Sequence, residues 1–144
     1  MLDLECFLPY RLSVLSNRIS QAIARIYQQR FGLDVTEWRI MAVLGRYPDR
    51  SASEVAERTA MDKVAISRGV ARLLDRGLLT RAVHEDDRRR SVLALSPAGT
   101  AVYDEIAPLA LDYERRLLAE LAEDEREWLQ RLLARLDAIG VPAD

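Results

Sequence analysis

Between Ser51 and Ser96 the hydrophobic pattern changes period, and that change limits the possible folds more than any other feature of the chain. Ser51-Ala52-Ser53-Glu54 places a serine three residues ahead of a glutamate. At that spacing each side chain can satisfy the other's free backbone N–H, which opens a helix. The helix runs through Arg58 and buries Val55 and Ala56. Asp62 caps a second helix reaching about Arg76, with Ile66, Val70, Leu73 and Leu74 inward and Gly77 as its stop. Two short helices joined by a turn at Thr59-Ala60-Met61 read as a helix-turn-helix. Beyond Gly77 the period falls from 3.6 toward 2. Residues 78–83 form one strand candidate and 91–95 another, while the charged stretch 84–90, with His84 as a polar residue at its base, projects as a hairpin tip.

The flanks are helical. Leu4, Leu8, Leu12, Leu15, Ile19, Ile23 and Ile26 recur at steps of three and four, with Pro9 in the first turn or at a kink and Gly32 at the end. Thr36 is the expected cap of the next helix, which carries Trp38, Ile40, Met41 and Leu44 and stops at Pro48. Ser96 and Pro97 open a long helix that Pro108 should bend. A last helix from about Glu123 holds Trp128, Leu132, Leu133, Leu136 and Ile139 and ends at Gly140. These terminal helices carry more apolar surface than a small central motif can cover, so a second copy of the chain is the expected cover.

Net charge is −2, so bulk charge does not announce a nucleic-acid partner. Its distribution is more telling. Residues 61–91 hold eight cations against five acids, whereas 112–137 hold five against eight. In a helix-turn-helix the second helix enters the major groove, N-terminal half toward the bases. Here the outward positions are Lys63, Val64, Ala65, Ser67, Arg68 and, one turn on, Arg72. Arg68 suits a bidentate contact to guanine, and Val64 and Ala65 suit thymine methyl groups. Lys63, Arg72, Ser51 and Ser53 suit phosphates. A hairpin following at once makes the motif a winged helix. Arg88, Arg89 and Arg90 at its tip can then reach a minor groove, with Asp87 orienting a guanidinium.

The stretches "SASEVAERTAMDKVAISRGVARLLDRGLL" and "DDRRRSVLALSPAG" resemble the MarR family of bacterial transcriptional regulators. That family's wing pattern is Asp-x-Arg, three residues, then Leu-x-Leu-Thr. It falls on Asp87, Arg89, Leu93, Leu95 and Ser96, with serine replacing threonine. The resemblance implies a mainly α fold with a small antiparallel hairpin, a winged helix-turn-helix at 33–96. It also implies an intertwined homodimer made by a helical region at 1–32 and 97–144. The partner it implies is double-stranded DNA carrying a pseudo-palindromic operator, and the activity is transcriptional repression relieved by a small, often phenolic effector. One departure is that the family often has polar residues where this chain has Val64 and Ala65.

Other readings stay beside this one. A winged helix can bind protein alone, although that would not require arginine in both groove-facing elements. Cys6 near the start of the first helix is similar in position to the thiol of peroxide-sensing family members; the simpler expectation is a buried, inert cysteine. Tyr10, Trp38, Arg39 and Tyr113 could line a pocket for a carboxylated ring, or could merely pack. With one cysteine and one histidine no metal site is expected, and no cofactor loop or nucleophile motif appears, so an enzyme is not expected. The N-terminus lacks signal-peptide features and no apolar run suits a membrane span, so the expected location is cytoplasmic.

Overall fold

The computed structural model describes residues 1–84 and 87–140, with side chains at all of these except residues 84 and 87–90. The elements are α1 (Leu8–Phe31), α2 (Val35–Arg46), α3 (Ala52–Thr59), α4 (Lys63–Asp75), β1 (Leu79–His84), β2 (Asp87–Leu95), α5 (Pro97–Leu118) and α6 (Glu123–Ile139). They make two compact units, residues 1–109 and 110–144. The boundary falls just past Pro108, through which α5 continues.

The helix starts show why these segments fold as they do. Ser51 and Glu54 form the expected reciprocal cap of α3: Ser51 Oγ accepts from the Glu54 N–H at 3.1 Å. Helix α2 is capped by Asp34, not by Thr36. The Glu37 N–H donates to Asp34 Oδ1 at 2.7 Å, and the Asp34 N–H donates to Glu37 Oε1 at 3.1 Å. A carboxylate with a glutamate three residues on closes the cap from both sides, which a threonine two residues too late cannot do. Pro9 sits within the first turn of α1, and Gly32 ends that helix with φ 64°. Ala60 closes α3 in the same left-handed region, with φ 53°.

The first unit is built on one core. Ile40 and Met41 of α2, Val55 of α3, Ile66, Val70 and Leu73 of α4 and Leu93 of β2 are all essentially inaccessible to solvent. Tyr27 of α1 and Ile106 of α5 are buried in the same cluster. The compact unit therefore extends past 33–96 at both ends. Gly69 lets α4 cross close to α2, since a Cβ there would lie 2.7 Å from Ile40 Cδ1.

The two strands pair antiparallel, from Leu79 with Leu95 to Val83 with Ser91, with an irregularity before the His84–Asp87 pair. The second strand thus begins at Asp87, four residues ahead of the apolar run that marks it in the sequence. Backbone pairing does not need apolar side chains once both faces are solvated, so charge alone does not mark a loop. Arg50 adds a two-way backbone bridge to Leu93, extending the sheet on its other edge.

In the second unit, Arg126 of α6 donates to the carbonyls of Leu118 and Leu121 at 3.2 Å each, satisfying orphan acceptors at the end of α5. Helix α6 buries none of its residues, and Trp128, Leu132, Leu136 and Ile139 are exposed.

Candidate nucleic-acid interface

Helix α4 presents its N-terminal half outward. Asp62 accepts from the Ala65 N–H at 3.2 Å and fixes the first turn. Ile66, Gly69, Val70 and Leu73 face the core. Opposite them, Lys63, Val64, Ser67 and Arg68 are exposed, Val64 to 55%. Among the described residues no carboxylate pairs with Arg68. Ala65 is half-buried, so it sits at the rim of the outward face and not at its centre.

Arg72 is placed differently from its outward neighbours. Its Nη2 donates to Asp34 Oδ2 at 3.1 Å, and its Nε lies 4.0 Å from Glu37 Oε1. Its guanidinium is engaged at the start of α2. Its partner lies 38 residues away in the chain, and no local spacing shows it. Ser51 spends its hydroxyl on the cap of α3, whereas Ser53 is exposed in that helix's first turn. The side chains of Asp87, Arg88, Arg89 and Arg90, and of His84, lie outside the described residues. The backbone places 87–90 in β2, on the hairpin that follows α4.

The hairpin's base is tied to α5 by Ser96. Its Oγ donates to the Gly77 carbonyl at 2.6 Å and accepts from the Gly99 N–H at 3.0 Å, and its N–H donates to the Leu78 carbonyl at 3.0 Å. One serine thus joins the end of α4, the start of β1 and the start of α5. Threonine could offer the same hydroxyl.

The residues proposed for an effector pocket are not gathered in one place. Trp38 and Arg39 line a cavity of about 110 Å³ together with Ser20, Ile23, Tyr27 and Val35. Tyr10 lies seventeen residues before Tyr27 on the same helix, about 25 Å along its axis, in a shallow groove with Leu8, Arg11 and Leu15. Tyr113 belongs to the second unit. Tyr27 and Ser20 of α1 carry no spacing in the sequence that points to a pocket. Arg39 donates to Ser20 Oγ at 3.0 Å. The Trp38 ring lies between those of Tyr27 and Tyr103, at 5.7 Å and 5.9 Å. Burial pushes the Tyr27 hydroxyl up to about 12; nearby Arg39 lowers it and Asp34 raises it further. At about 110 Å³ the cavity is well under the roughly 300–1,000 Å³ of ordinary ligand pockets.

Cys6 is exposed, against the expectation of a buried thiol. It lies ahead of Leu8, before α1 begins. No group of three or more metal-ligating side chains occurs among the described residues. No helix of the described residues is long and apolar enough to cross a membrane.

Comparison with known proteins agrees with this geometry. A family model described as MarR family matches residues 31–90. A MarR/EmrR family transcriptional regulator from Acinetobacter sp. ADP1 is 28% identical and superimposes with a TM-score of 0.86, over 95% of this chain and 96% of that one. A probable transcriptional regulator from Pseudomonas aeruginosa is 33% identical, with a TM-score of 0.71 over 92% and 98%. The PcaV transcriptional regulator from Streptomyces coelicolor, solved in complex with its natural ligand, is 26% identical, with a TM-score of 0.73 over 94% of each chain. The fold and the outward face of α4 define a winged-helix protein of the transcription-regulator class. Within that class, the chain belongs to the MarR family.

Proposed function

We propose that the chain is a sequence-specific repressor that binds a pseudo-palindromic operator in double-stranded DNA as a homodimer. The observation that carries this reading is the outward face of α4, where Val64 and Arg68 stand exposed on a helix whose opposite face is sealed in the core. Arg68 supplies a fork for guanine, Val64 an apolar contact for a thymine methyl group, and Lys63 and Ser67 hold register on the backbone. The arginines at 88–90 enter the neighbouring minor groove, where a narrow A·T-rich segment attracts cations. Dimerisation is supported by α6, a 17-residue helix that buries nothing while Trp128, Leu132, Leu136 and Ile139 face solvent. A helix of that length is marginal in water without packing, and symmetry favours a second copy as the cover. Two copies of α4 would then lie about one DNA turn apart.

For release, the Trp38–Arg39 cavity matches a small aromatic acid in chemistry and would have to widen on entry, since a guanidinium beside aromatic rings suits a carboxylated ring. The ligand-bound relative makes an effector reasonable for this chain too. Fluorescence anisotropy with a duplex from the chain's own promoter region tests the central reading. The log of the affinity should fall linearly and steeply with log salt, and a random duplex should bind far more weakly. Equal affinity for both duplexes would leave only non-specific binding. No binding at low salt would favour a protein-binding winged helix.

A further inference from the structure

Four charged side chains meet where α1 ends, α2 begins and α4 passes. Glu37 is 5% exposed, an unusual setting for a carboxylate. Arg72 and Arg76 of α4 flank it: Arg72 Nε is 4.0 Å from Oε1, and Arg76 Nη1 is 3.9 Å from Oε2. Arg72 also donates to Asp34, the cap residue of α2, at 3.1 Å. Arg76 donates to the carbonyls of Phe31 and Gly32, the latter at 3.2 Å, and so satisfies acceptors left open at the end of α1.

We propose that Glu37 is a positioning residue for DNA recognition, whose carboxylate, with that of Asp34, holds Arg72 and Arg76 against the α1–α2 junction and so sets the angle at which α4 meets the groove. This rests on the DNA-binding reading above and moves Arg72 from the DNA to the support of the helix that reads it.

The geometry favours this assignment in two ways. Two arginines one helical turn apart are both drawn to the same junction, while Lys63 and Arg68 are exposed on the outward half. The hub also joins α1, α2 and α4, whose other contacts are mainly apolar apart from the Arg39–Ser20 bond between α1 and α2. Apolar packing tolerates small rotations, whereas the directional bonds from Arg72 to Asp34 and from Arg76 to the end of α1 select one orientation. Keeping a carboxylate so deeply covered disfavours its ionised form. Burial pushes Glu37 above the ordinary carboxylate range; the hydrogen bond at the Asp34 backbone lowers it, the Asp34 carboxylate raises it, and Arg72 lowers it less. A carboxyl group kept at so covered a site fits a role in specificity better than one in stability.

The test uses the full-length protein and three variants: Glu37→Gln, Arg72→Ala and the double substitution. Glutamine keeps an oxygen for the Asp34 N–H, so the cap of α2 survives, but it turns a donor toward the arginines. Each protein is titrated with a promoter-region duplex and with a random duplex of equal length, across a salt series. Each single variant should lose about tenfold on the promoter duplex and less than about twofold on the random one. The double variant should lose about tenfold, not about a hundredfold, because coupled residues are not additive. The salt slope of Arg72→Ala should equal that of the parent.

Additive losses, or a slope lower by about one for Arg72→Ala, would return Arg72 to the phosphate backbone and overturn the proposal. Variants that bind like the parent would overturn it as well, leaving the DNA-binding reading intact. A parent that fails to bind the promoter duplex at low salt would sink the reading beneath it instead. If Glu37→Gln does not fold by circular dichroism, Arg72→Lys decides. It keeps the charge but not the fork, so tenfold loss with unchanged slope supports positioning, and parental affinity rejects it.

Discussion

Gly99→Ala sets two physical expectations of opposite sign against each other. Gly99 lies in the first turn of α5, where helix propensity alone predicts a gain of about 1 kcal/mol for alanine. The structure predicts a loss. A Cβ at residue 99 would lie 2.0 Å from the Leu78 carbonyl oxygen and 3.0 Å from its carbon. Both are backbone atoms at the start of the hairpin, so no side-chain rotation relieves the clash. Forcing a methyl group into a closed site costs about 1–3 kcal/mol, and a contact this short with backbone belongs at the upper end. The Leu78 carbonyl also accepts from the Ser96 N–H at 3.0 Å. Moving it weakens that bond, worth about 1 kcal/mol. Setting about 3–4 kcal/mol of cost against about 1 of gain leaves a net loss of about 2–3 kcal/mol. For a chain of this size each kcal/mol shifts the melting temperature by about 3–4 °C, so a fall of about 6–12 °C is expected. The assay is thermal unfolding followed by circular dichroism, at one fixed protein concentration because subunit association also shifts the midpoint. An unchanged or raised midpoint would show that propensity governs residue 99 and that α5 does not press on the hairpin as described.

Ala60→Gly should raise stability by up to about 1 kcal/mol, because Ala60 holds φ 53° and only glycine enters that region without penalty; a lower denaturation midpoint would contradict it. Arg68→Ala should lose about 1–3 kcal/mol of discrimination at one operator position while leaving random-duplex affinity within a few-fold, as read by competition with single-base operator variants. Unaltered base preference would remove Arg68 from the reading face. Tyr27 stays protonated in the fold to about pH 12, whereas an unfolded tyrosine ionises near 10. Its contribution is whole below about pH 10 and is lost as pH rises toward 12, at most roughly 3 kcal/mol. Tyr27→Phe should abolish that part of the alkaline decline, and a parallel decline in both proteins would count against it.

The local chemistry of the chain was legible in its sequence; its long-range partners were not. Ser51 with Glu54 announces a reciprocal cap by spacing alone, and α3 begins there. Asp34 with Glu37 has the same spacing but was passed over for Thr36, because the apolar run at Trp38 drew the helix start too late. Period reading found both strands yet started β2 at residue 91, since residues 87–90, of which Asp87 pairs with His84, carry no apolar signature. Ala60 gave no sign of its left-handed backbone, which follows from the turn's closure and not from residue type. At Arg72 the charge was visible and the direction was not. Periodicity places a residue on a helix face to within a turn, but it cannot say whether a long guanidinium reaches outward or bends to an acid on another helix.

That ambiguity matters for how a short helix can serve both structure and recognition. Helix α4 has thirteen residues and must bury one stripe, expose another and hold a fixed angle. Its cations are divided along its length. Lys63 and Arg68 lie exposed in its N-terminal half. Arg72 and Arg76 lie near the C-terminal end, where cations are favoured by the dipole, and there they are paired with Asp34 and Glu37. Exchanging the two sets would leave the exposed cations at the C-terminal end and tether the N-terminal half instead. Net charge over the segment cannot distinguish those arrangements, because both hold the same cations. The order of the cations along the helix, together with the acids they meet, leaves the N-terminal half of α4 open and ties its C-terminal end to the α1–α2 junction.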